Sequence, residues 1–562
     1  MKSILGLSLL SLVAALDFEW SYEGQKYWAS EVNRIDKADD TLGLSGHIGE
    51  SGLGYFKVGD VEWPQFCRNV NVTGDEYEPG AYVVASLSGQ LVIAKAYQIM
   101  PDPALAFTTG LIPTCDDSYE PFVGNGIPIA PVAGGDGPLA GLRFATKDLF
   151  HVKGVKTAAG SRAYDEVYPP QNHTSGMVLK SIAGGATLVG KTKTTQFALT
   201  TARNGWVVDY QSPFNFRGDK YLSTAGSSSG SGAAMVAYDW LDFAIGSDTG
   251  GSVRLPADVG GIYGYRPTQG IHDLVDVVPC VLSLDTPGFF ARTPEVFKKV
   301  FDAWAADTEL ALEKVSLPSK LIHWAERTPL PQQEAEDMLA EFLSKVEDTL
   351  NMTRTTVNLT EVWLAESGIK KTYLEYYNTV YDELNSLESW DLIGVPLFEA
   401  FGELNNGAAP PVDPSTNITW TVGQNQTVRD RYDEAIRRGQ LFRDFYGDHV
   451  MTRNNETCTD SLSFSTYHTE MPENRVDLVP FAATSGWWSA LPGSYGGVPE
   501  VVIPIGQVPY WSNFTLQTEY RPLAAAFQAA RGCDAVLFKF VEELTSAGLV
   551  SEVKTGRLAF EQ

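Results

Sequence analysis

The stretch that decides the fold is FAIGSDTGGSVRLPADVGGIYGYRPT, at residues 243–268. Its first residues are apolar and β-prone, which predicts a strand that runs into a DTGGS turn at residues 248–252. Two glycines before a serine let the backbone approach a substrate closely. Four N–H groups of this turn could together form an oxyanion hole, those of Thr249, Gly250, Gly251 and Ser252. The alternative interpretation is an ordinary turn in which Ser252 is the N-cap residue of a helix.

A second stretch, STAGSSSGSGAAMVA at residues 223–237, is dense in glycine and serine. That composition alone is typical of a flexible linker. Residues 233–237, however, are apolar and helix-prone, which predicts that the glycines lie at a helix N-terminus. The unpaired N–H groups of such a terminus can hold an anion.

The third stretch is GLRFATKDLFHVKGVKTAAGSRAY, at residues 141–164. Lys147 follows a strand-like run at residues 142–145. Most lysines are solvated, so Lys147 alone would be assigned to the surface. A lysine that is buried at a strand end is different, because burial lowers its pKa and the neutral amine can then accept a proton.

Taken together, the three stretches resemble the amidase signature family. The motifs that carry the resemblance are Ala145-Thr146-Lys147-Asp148, Gly154, Gly160-Ser161, Gly190-Lys191-Thr192, Phe197-Ala198, the Gly/Ser run 226–232, the turn 246–254, Arg266-Pro267-Thr268, Leu284-Asp285-Thr286, Gly288, Ala291-Arg292 and Pro504-Ile505-Gly506. They are dense from about 126 to 306 and return near 485–545. The resemblance implies an α/β fold, with a core of mixed β-sheet covered by helices.

The resemblance also implies a Ser-Ser-Lys triad, with Ser252 as nucleophile and Lys147 as base. A second serine bridges the two and holds a cis peptide bond. A gap-free alignment backwards from Ser252 places this bridge at Ser228, whereas Ser227 would require an inserted residue. Asp248 and Arg254 are expected to support the turn, with ordinary structural roles equally open.

The function implied is hydrolysis of linear or aryl amides through an acyl-serine intermediate, without a metal or an organic cofactor. Ester cleavage by the same triad is an alternative, and so is a non-catalytic secreted protein that binds ligands on this fold. A further alternative is the nucleophile elbow of α/β-hydrolases, because residues 226–230 fit G-x-S-x-G. That elbow needs a preceding apolar strand, which the loop-like residues 216–221 do not provide, and a later histidine. The candidates are His272, His323, His449 and His468.

The N-terminus has the pattern of a signal peptide over residues 1–15. Lys2 is followed by an apolar run at residues 4–15, with Val13 and Ala15 as the small residues before cleavage. Eight N-x-Ser/Thr acceptor sites support secretion; they are Asn71, Asn172, Asn351, Asn358, Asn417, Asn425, Asn455 and Asn513. The sequence therefore predicts a secreted, extracellular glycoprotein.

The formal net charge of −27 argues against nucleic acid as a partner, because the phosphate backbone would be repelled. Acidity and secretion together argue against work on charged tRNA. No apolar run after the N-terminus reaches the length of a membrane-spanning helix. A small-molecule amide is therefore the expected partner, and the sequence leaves the oligomeric state open.

The predicted organisation has two parts after the signal peptide. Residues 16–125 are expected to form a strand-rich accessory domain, with strands near 82–86 and 91–97, and residues 126–562 the catalytic domain. Within the catalytic domain, about 310–480 is interpreted as a variable region of surface helices and loops.

Five cysteines, Cys67, Cys115, Cys280, Cys458 and Cys533, show no zinc-ligand spacing. Secretion favours disulfides, and a bridge between Cys67 and Cys115 is one expectation. None of the five lies in a recognisable catalytic context.

Overall fold

The computed structural model describes residues 18–22, 25–33, 53–58, 80–87, 90–114, 117–130, 137–203, 205–312, 314–467, 473–477 and 486–561. Several predicted features lie outside these residues: the signal peptide, Asn71, Cys67, Cys115 and His468. The chain divides into two compact units. The first comprises residues 1–102, 109–143 and 183–190, and the second comprises 103–108, 144–182 and 191–562. The boundary near residue 125 stays a prediction.

The first unit contains an antiparallel sheet in the order β1-β2-β5-β4-β3, and β8 pairs with β5. The strands of this sheet are β1 (Phe18–Tyr22), β2 (Gln25–Asn33), β3 (Leu53–Val58), β4 (Gly80–Leu87), β5 (Gln90–Met100) and β8 (Ile127–Ile129). Two further strands, β6 (Phe107–Pro113) and β7 (Tyr119–Pro121), pair with each other. The predicted strands at 82–86 and 91–97 lie within β4 and β5. A small buried cluster that includes Trp28, Tyr97 and Phe122 provides apolar packing here, and the Trp28 and Phe122 rings meet edge to face at 5.4 Å.

The second unit contains a mixed sheet in the order β15-β14-β18-β20-β19-β12-β13-β11-β9. The remaining strands are β9 (Arg143–Lys147), β10 (Thr187–Thr192), β11 (Phe243–Asp248), β12 (Tyr263–Arg266), β13 (Thr286–Ala291), β14 (Lys320–Trp324), β15 (Thr353–Val357), β16 (Arg453–Asn454), β17 (Cys458–Thr459), β18 (Leu462–Ser465), β19 (Glu500–Ser512) and β20 (Gln517–Gln528). Strand β11 runs parallel to β9 and antiparallel to β13. Every residue of β11 is buried, as its apolar start predicts for a central strand.

Helices make up most of the rest of the second unit. They are α1 (Arg162–Val167), α2 (Gly176–Ala183), α3 (Ser229–Ala237), α4 (Arg254–Gly260), α5 (Pro294–Ala305), α6 (Gln333–Leu350), α7 (Leu359–Glu366), α8 (Tyr373–Tyr376), α9 (Val380–Ser389), α10 (Val395–Leu404), α11 (Pro414–Gly423), α12 (Gln426–Arg429), α13 (Tyr432–His449), α14 (Leu491–Gly496) and α15 (Asp534–Ser546). The α/β fold expected from the sequence, a mixed sheet with helices, is confirmed.

Helix α5 shows how the sequence sets one of these boundaries. Thr293 accepts a hydrogen bond from the N–H of Val296, and Pro294 occupies the first turn, where its missing N–H costs nothing. The apolar face of α5 packs on α15, with the Phe301 and Phe538 rings stacked at 3.9 Å. Tyr265 of β12 meets Phe538 edge to face at 4.9 Å, so both helices lie on the sheet that carries the site.

One part of the region 310–480 departs from the predicted surface position. All ten residues of α9 are buried, although four of them are Asp382, Glu383, Asn385 and Glu388. The carboxylates have partners, since Glu388 accepts the N–H of Leu282 at 2.7 Å. The surface interpretation of this region rested on its irregular pattern and its acceptor sites, whereas the structure buries this helix and provides hydrogen-bond partners for its polar groups.

Candidate active site

The site forms where two parallel strands end beside each other. Strand β9 ends at Lys147, and strand β11, paired to it through Ala244 and Ala145, ends at Asp248. Carboxyl ends of parallel strands share one edge of a sheet, so Lys147 lies beside Ser247. The predicted strand ahead of the DTGGS turn is confirmed as β11.

Lys147 is completely buried and contacts two serines. Its Nζ lies 2.7 Å from the Ser227 Oγ, 2.9 Å from the Ser247 Oγ and 3.5 Å from the Ser247 carbonyl oxygen. Burial lowers the pKa of Lys147 to about 7, although Cys280, Asp248 and Asp285 act in the opposite direction. Near neutral pH this amine is therefore divided between its protonated and free-base forms.

A second buried lysine, Lys191, has a different environment. Its Nζ forms an ion pair with Asp148 at 2.7 Å and donates to the Thr157 hydroxyl at 2.8 Å. Burial lowers the pKa of Lys191, but the Asp148 charge opposes this effect. Lys191 therefore holds the loop after β9 in place, and Lys147 is the lysine that contacts serine hydroxyls.

The serine that contacts Lys147 is Ser227 and not Ser228, which corrects the sequence alignment. The Ser228 hydroxyl instead donates to the Ser247 carbonyl oxygen at 3.1 Å and accepts from the Ser247 N–H at 3.3 Å. The peptide bond between Gly226 and Ser227 is cis. The other alignment of the run, which starts from its first serine and requires an inserted residue, agrees with this contact.

The Gly/Ser run leads directly into α3, as predicted, and is not a flexible linker. Residues 225–236 are all buried. The N–H of Gly230 donates to the Lys193 carbonyl oxygen at 2.9 Å, and a Cβ at Gly230 would lie 2.3 Å from the Lys193 backbone nitrogen. Small residues are needed here because another backbone segment passes too close for a side chain.

Ser252 lies between the turn and α4 and is partly exposed. Its carbonyl oxygen accepts the N–H of Ser228 at 3.2 Å. The N-cap of α4 is Val253, without a side-chain cap, so the interpretation of Ser252 as a helix cap is wrong. Its hydroxyl makes no hydrogen bond in the described part of the chain, and none joins it to Ser227. Catalytic hydrogen bonds are often long before a substrate binds.

Asp248 organises the turn from inside. Its carboxylate accepts the N–H groups of Gly251 at 3.0 Å and Val253 at 2.9 Å, and it pairs with the guanidinium of Arg254 at 2.8 Å and that of Arg266 at 3.0 Å. Burial alone would raise the pKa of Asp248, but the two arginine charges outweigh it and hold the pKa well below its ordinary value. The turn is thus shaped by an ionised carboxylate.

Asp248 also corrects the expected oxyanion hole. The N–H of Gly251 is occupied by the Asp248 carboxylate. The N–H groups of Thr249, Gly250 and Ser252 make no hydrogen bonds within the residues that the structure describes. Three of the four predicted donors are therefore available to a substrate oxygen.

Two aromatic residues that the sequence analysis missed border the turn. The Trp488 Nε1 donates to the Gly250 carbonyl oxygen at 2.7 Å, and the Tyr381 ring of α9 meets Trp488 edge to face at 4.8 Å. A Cβ at Gly250 would lie 2.8 Å from Trp488 and 3.1 Å from Tyr381, so only glycine fits. Nothing near the DTGGS motif signals either residue, since both come from distant parts of the chain.

The structure offers no support for a cysteine or histidine nucleophile system. Cys280 is a buried free thiol, and burial, reinforced by Asp285, raises its pKa well above the ordinary value. His272 packs edge to face on Trp304, and burial lowers its pKa to about 4. No histidine in the described part of the chain is hydrogen-bonded to Ser227, Ser228 or Ser252.

The structure contradicts the nucleophile-elbow interpretation, which requires an apolar strand directly before the Gly/Ser run. Residues 205–228, which precede α3, contain no strand longer than the single bridge that Leu222 makes with Asn474. His323 and His449 have partners of their own, since His323 packs on Phe464 and His449 faces Glu366 at 3.7 Å.

Other predicted features can be placed on the described residues. Cys458 and Cys533 form a disulfide, whereas the expected pairing of Cys67 with Cys115 lies outside them. Six acceptor asparagines are exposed and Asn358 is partly exposed; the six are Asn172, Asn351, Asn417, Asn425, Asn455 and Asn513. Across the described ranges, no helix combines the length and the apolar character needed to cross a membrane.

Part of the chain is similar to known amidases. Residues 130–339 match the family model described as Amidase. A protein named Amidase 1 from Oryza sativa subsp. japonica is 39% identical over 163 residues, which are 29% of this chain and 37% of that protein. A protein of the same name from Arabidopsis thaliana is 38% identical over 177 residues, which are 31% of this chain and 40% of that protein. One component of the Glutamyl-tRNA(Gln) amidotransferase from Halobacterium salinarum is 38% identical over 174 residues, which are 31% of this chain and 40% of that protein.

A solved structure described as "Crystal structure of amidase" superposes with a TM-score of 0.55 at 23% identity, covering 73% of this chain and 85% of the other. This likeness supports the fold alone. The chain spans about two fifths of the length of the curated relatives it matches. The similarity to the Amidase family is therefore shown for residues 130–339 of this chain.

Proposed function

We propose that the protein is an amidase that cleaves carboxylic amide bonds through an acyl-serine intermediate. The observation that carries the proposal is the contact between Lys147 and Ser227, with Nζ and Oγ 2.7 Å apart in a completely buried setting. A lysine with a pKa of about 7 can act as a base near neutral pH, which an ordinary lysine cannot do.

In the proposed mechanism, Ser252 is the nucleophile and Ser227 relays its proton. Free-base Lys147 accepts a proton from the Ser227 hydroxyl, Ser227 accepts one from Ser252, and the Ser252 Oγ attacks the amide carbonyl carbon. The carbonyl oxygen becomes an oxyanion, and we assign its stabilisation to the N–H groups of Thr249, Gly250 and Ser252. Protonated Lys147, acting through Ser227, returns the proton to the leaving amine.

Deacylation then repeats the same steps with water. Water gives up its proton through Ser227 to Lys147 and attacks the acyl carbon, and Ser252 leaves with the returned proton. The ionised Asp248 contributes by holding the turn that carries Ser252, together with Arg254 and Arg266. These side chains account for every proton transfer in the cycle.

We also propose that the protein is secreted and glycosylated. The apolar run after Lys2 and the eight acceptor sites support this location. Six of the seven acceptor asparagines that the structure describes are exposed, as glycosylation requires. Secretion would also provide the oxidising setting in which the Cys458–Cys533 disulfide persists.

The experiment that tests the function is a panel of linear and aryl amides, with matched esters, assayed for product release. The key comparison is Ser227→Ala against Ser228→Ala, because the two serines are adjacent and differ in whether they contact Lys147. Loss of the proton relay is expected to lower kcat/KM by about 10² to 10⁴ in Ser227→Ala. Ser228→Ala removes only hydrogen bonds to the Ser247 backbone. The activity of this variant should therefore exceed that of Ser227→Ala by about tenfold or more.

Equal losses in the two variants would contradict the relay through Ser227. Wild-type protein that hydrolyses no amide or ester, and is not labelled by a serine-directed phosphonate, would instead indicate a binding protein on this fold. Circular dichroism of each variant controls for folding.

A further inference from the structure

The tip of the hairpin formed by β19 and β20 is a short turn with internal hydrogen bonds. Trp511 pairs with Thr518 and Ser512 with Gln517, which leaves residues 513–516 as the connection. The Ser512 hydroxyl accepts the N–H groups of Phe514 at 3.1 Å and Thr515 at 3.2 Å, and it donates to Asp219 at 2.7 Å. The Ser512 side chain therefore connects the tip both to Asp219 and to two backbone N–H groups of the connection.

This tip exposes large apolar side chains. Trp511 is 63% exposed, Leu516 is 71% exposed and Phe514 is 42% exposed. Phe514 has a partner, because its ring stacks on Tyr221 at 4.5 Å. Trp511 has no aromatic partner among the described residues. Grouped apolar side chains on a protein surface usually mark a place that another molecule covers.

An acceptor tripeptide lies in the middle of the tip. It is Asn513-Phe514-Thr515, and the Asn513 side chain is exposed and makes no hydrogen bond to the described part of the chain. Asn513 is the first residue of the connection and follows the exposed Trp511 by two positions, so the acceptor side chain and the indole ring are close neighbours along the chain. Of the eight acceptor sites, only Asn513 has an aromatic residue two positions before it.

We propose that an N-linked glycan on Asn513 packs its first sugar on the Trp511 ring and covers the hairpin tip. The C–H face of a pyranose ring is apolar, and the face of an indole is its natural partner because contact removes both from water. This inference rests on the proposed secretion, and it is independent of the amidase chemistry.

The attachment is an ordinary group transfer. The Asn513 Nδ2 forms a bond to the anomeric carbon of a polyisoprenyl diphosphate oligosaccharide, while the bond from that carbon to the phosphate oxygen breaks. The lipid diphosphate leaves, and Nδ2 loses one proton. Transfer occurs on the unfolded chain in the secretory pathway, so the folded hairpin does not have to admit the transferase.

The test is a double-mutant cycle on protein secreted from a eukaryotic host. Wild type, Asn513→Gln, Trp511→Ala and the double variant are compared by hydrogen exchange of the backbone amides at residues 505–525. Loss of the glycan is expected to speed exchange severalfold when Trp511 is present and to have little effect in the Trp511→Ala background. Trimming to a single N-acetylglucosamine should preserve the protection. Asn417→Gln is the matched control, since Asn417 is exposed and follows Ser415 at the same spacing.

The outcomes separate this inference from the proposals it rests on. Empty acceptor sites at Asn172 and Asn417 as well as at Asn513 would overturn secretory glycosylation itself. Occupied sites elsewhere with Asn513 empty, or equal effects of Asn513→Gln in both backgrounds, would overturn only the packing on Trp511. Self-association of the fully glycosylated protein that Trp511→Ala abolishes would assign the tip to a second copy of the chain. Amide hydrolysis should be the same in all four proteins.

Discussion

The pH dependence of hydrolysis provides a quantitative prediction. Only the free-base form of Lys147 can accept the proton from Ser227, and burial sets its pKa at about 7. About 10% of the enzyme then carries the free base at pH 6 and about 90% at pH 8, so kcat/KM should rise about tenfold over this range and level off above it. The sign follows from the lowered pKa, because activity is lost as the pH falls through the pKa and the amine becomes charged.

An ordinary lysine would behave differently. With a pKa near 10.4, the free base would increase about a hundredfold between pH 6 and 8 and would not level off below pH 9. The assay is kcat/KM between pH 5 and 9 with a neutral amide that does not itself titrate. Ser228→Ala is the control, and it should show the same midpoint as wild type. A hundredfold rise without a plateau, or no rise, would refute the assignment of Lys147 as the base.

Three further predictions follow from the same contacts. Lys147→Met should abolish hydrolysis and raise the midpoint of thermal unfolding at pH 7. Burial lowers the pKa of Lys147, so below that pKa the charged amine destabilises the folded state by on the order of a few kcal/mol, and the substitution removes this cost. An unchanged or lower midpoint would argue against such burial. Gly250→Ala should lower kcat/KM by at least tenfold, roughly, since its Cβ would lie 2.8 Å from Trp488; unchanged kinetics would show that the turn shifts freely. Asp248→Asn should destabilise the protein by roughly 3–5 kcal/mol, because it removes the buried carboxylate that Arg254 and Arg266 share and leaves Arg254 paired with Glu500 alone; an unchanged midpoint of denaturant unfolding would contradict this.

Much of the site follows from local sequence. The apolar run before the DTGGS turn predicts β11, and the run before Lys147 predicts β9. Once both are strands of one parallel pair, their carboxyl ends must meet, which brings Lys147 near the turn that carries Ser252. Hydrophobic pattern and strand direction are sufficient for this part.

The register of the Gly/Ser run could not be predicted in this way. Ser227 and Ser228 are adjacent, chemically identical and both fully buried, so no pattern of polarity distinguishes them. What separates them is backbone direction, which turns one hydroxyl to Lys147 and the other to the Ser247 backbone. Sequence spacing alone therefore missed the contact by one residue.

The aromatic border, and the exclusion of Gly251 from the oxyanion donors, were missed for a second reason. Trp488 and Tyr381 lie more than 120 residues beyond the turn and meet it only through tertiary packing. The loss of the Gly251 N–H to Asp248 depends on the conformation of a side chain within the turn itself. Neither distant packing nor side-chain conformation leaves a periodic signal in the sequence.

The central claim is that Ser252 is the nucleophile and that Lys147 activates it through Ser227. The most direct measurement is mass spectrometry of the protein after reaction with a fluorophosphonate, with the rate of labelling followed for wild type, Ser227→Ala and Ser228→Ala. We predict one adduct, on Ser252, that forms much more slowly in Ser227→Ala and at a rate closer to wild type in Ser228→Ala. An adduct on another serine, or equal slowing in the two variants, would contradict the claim.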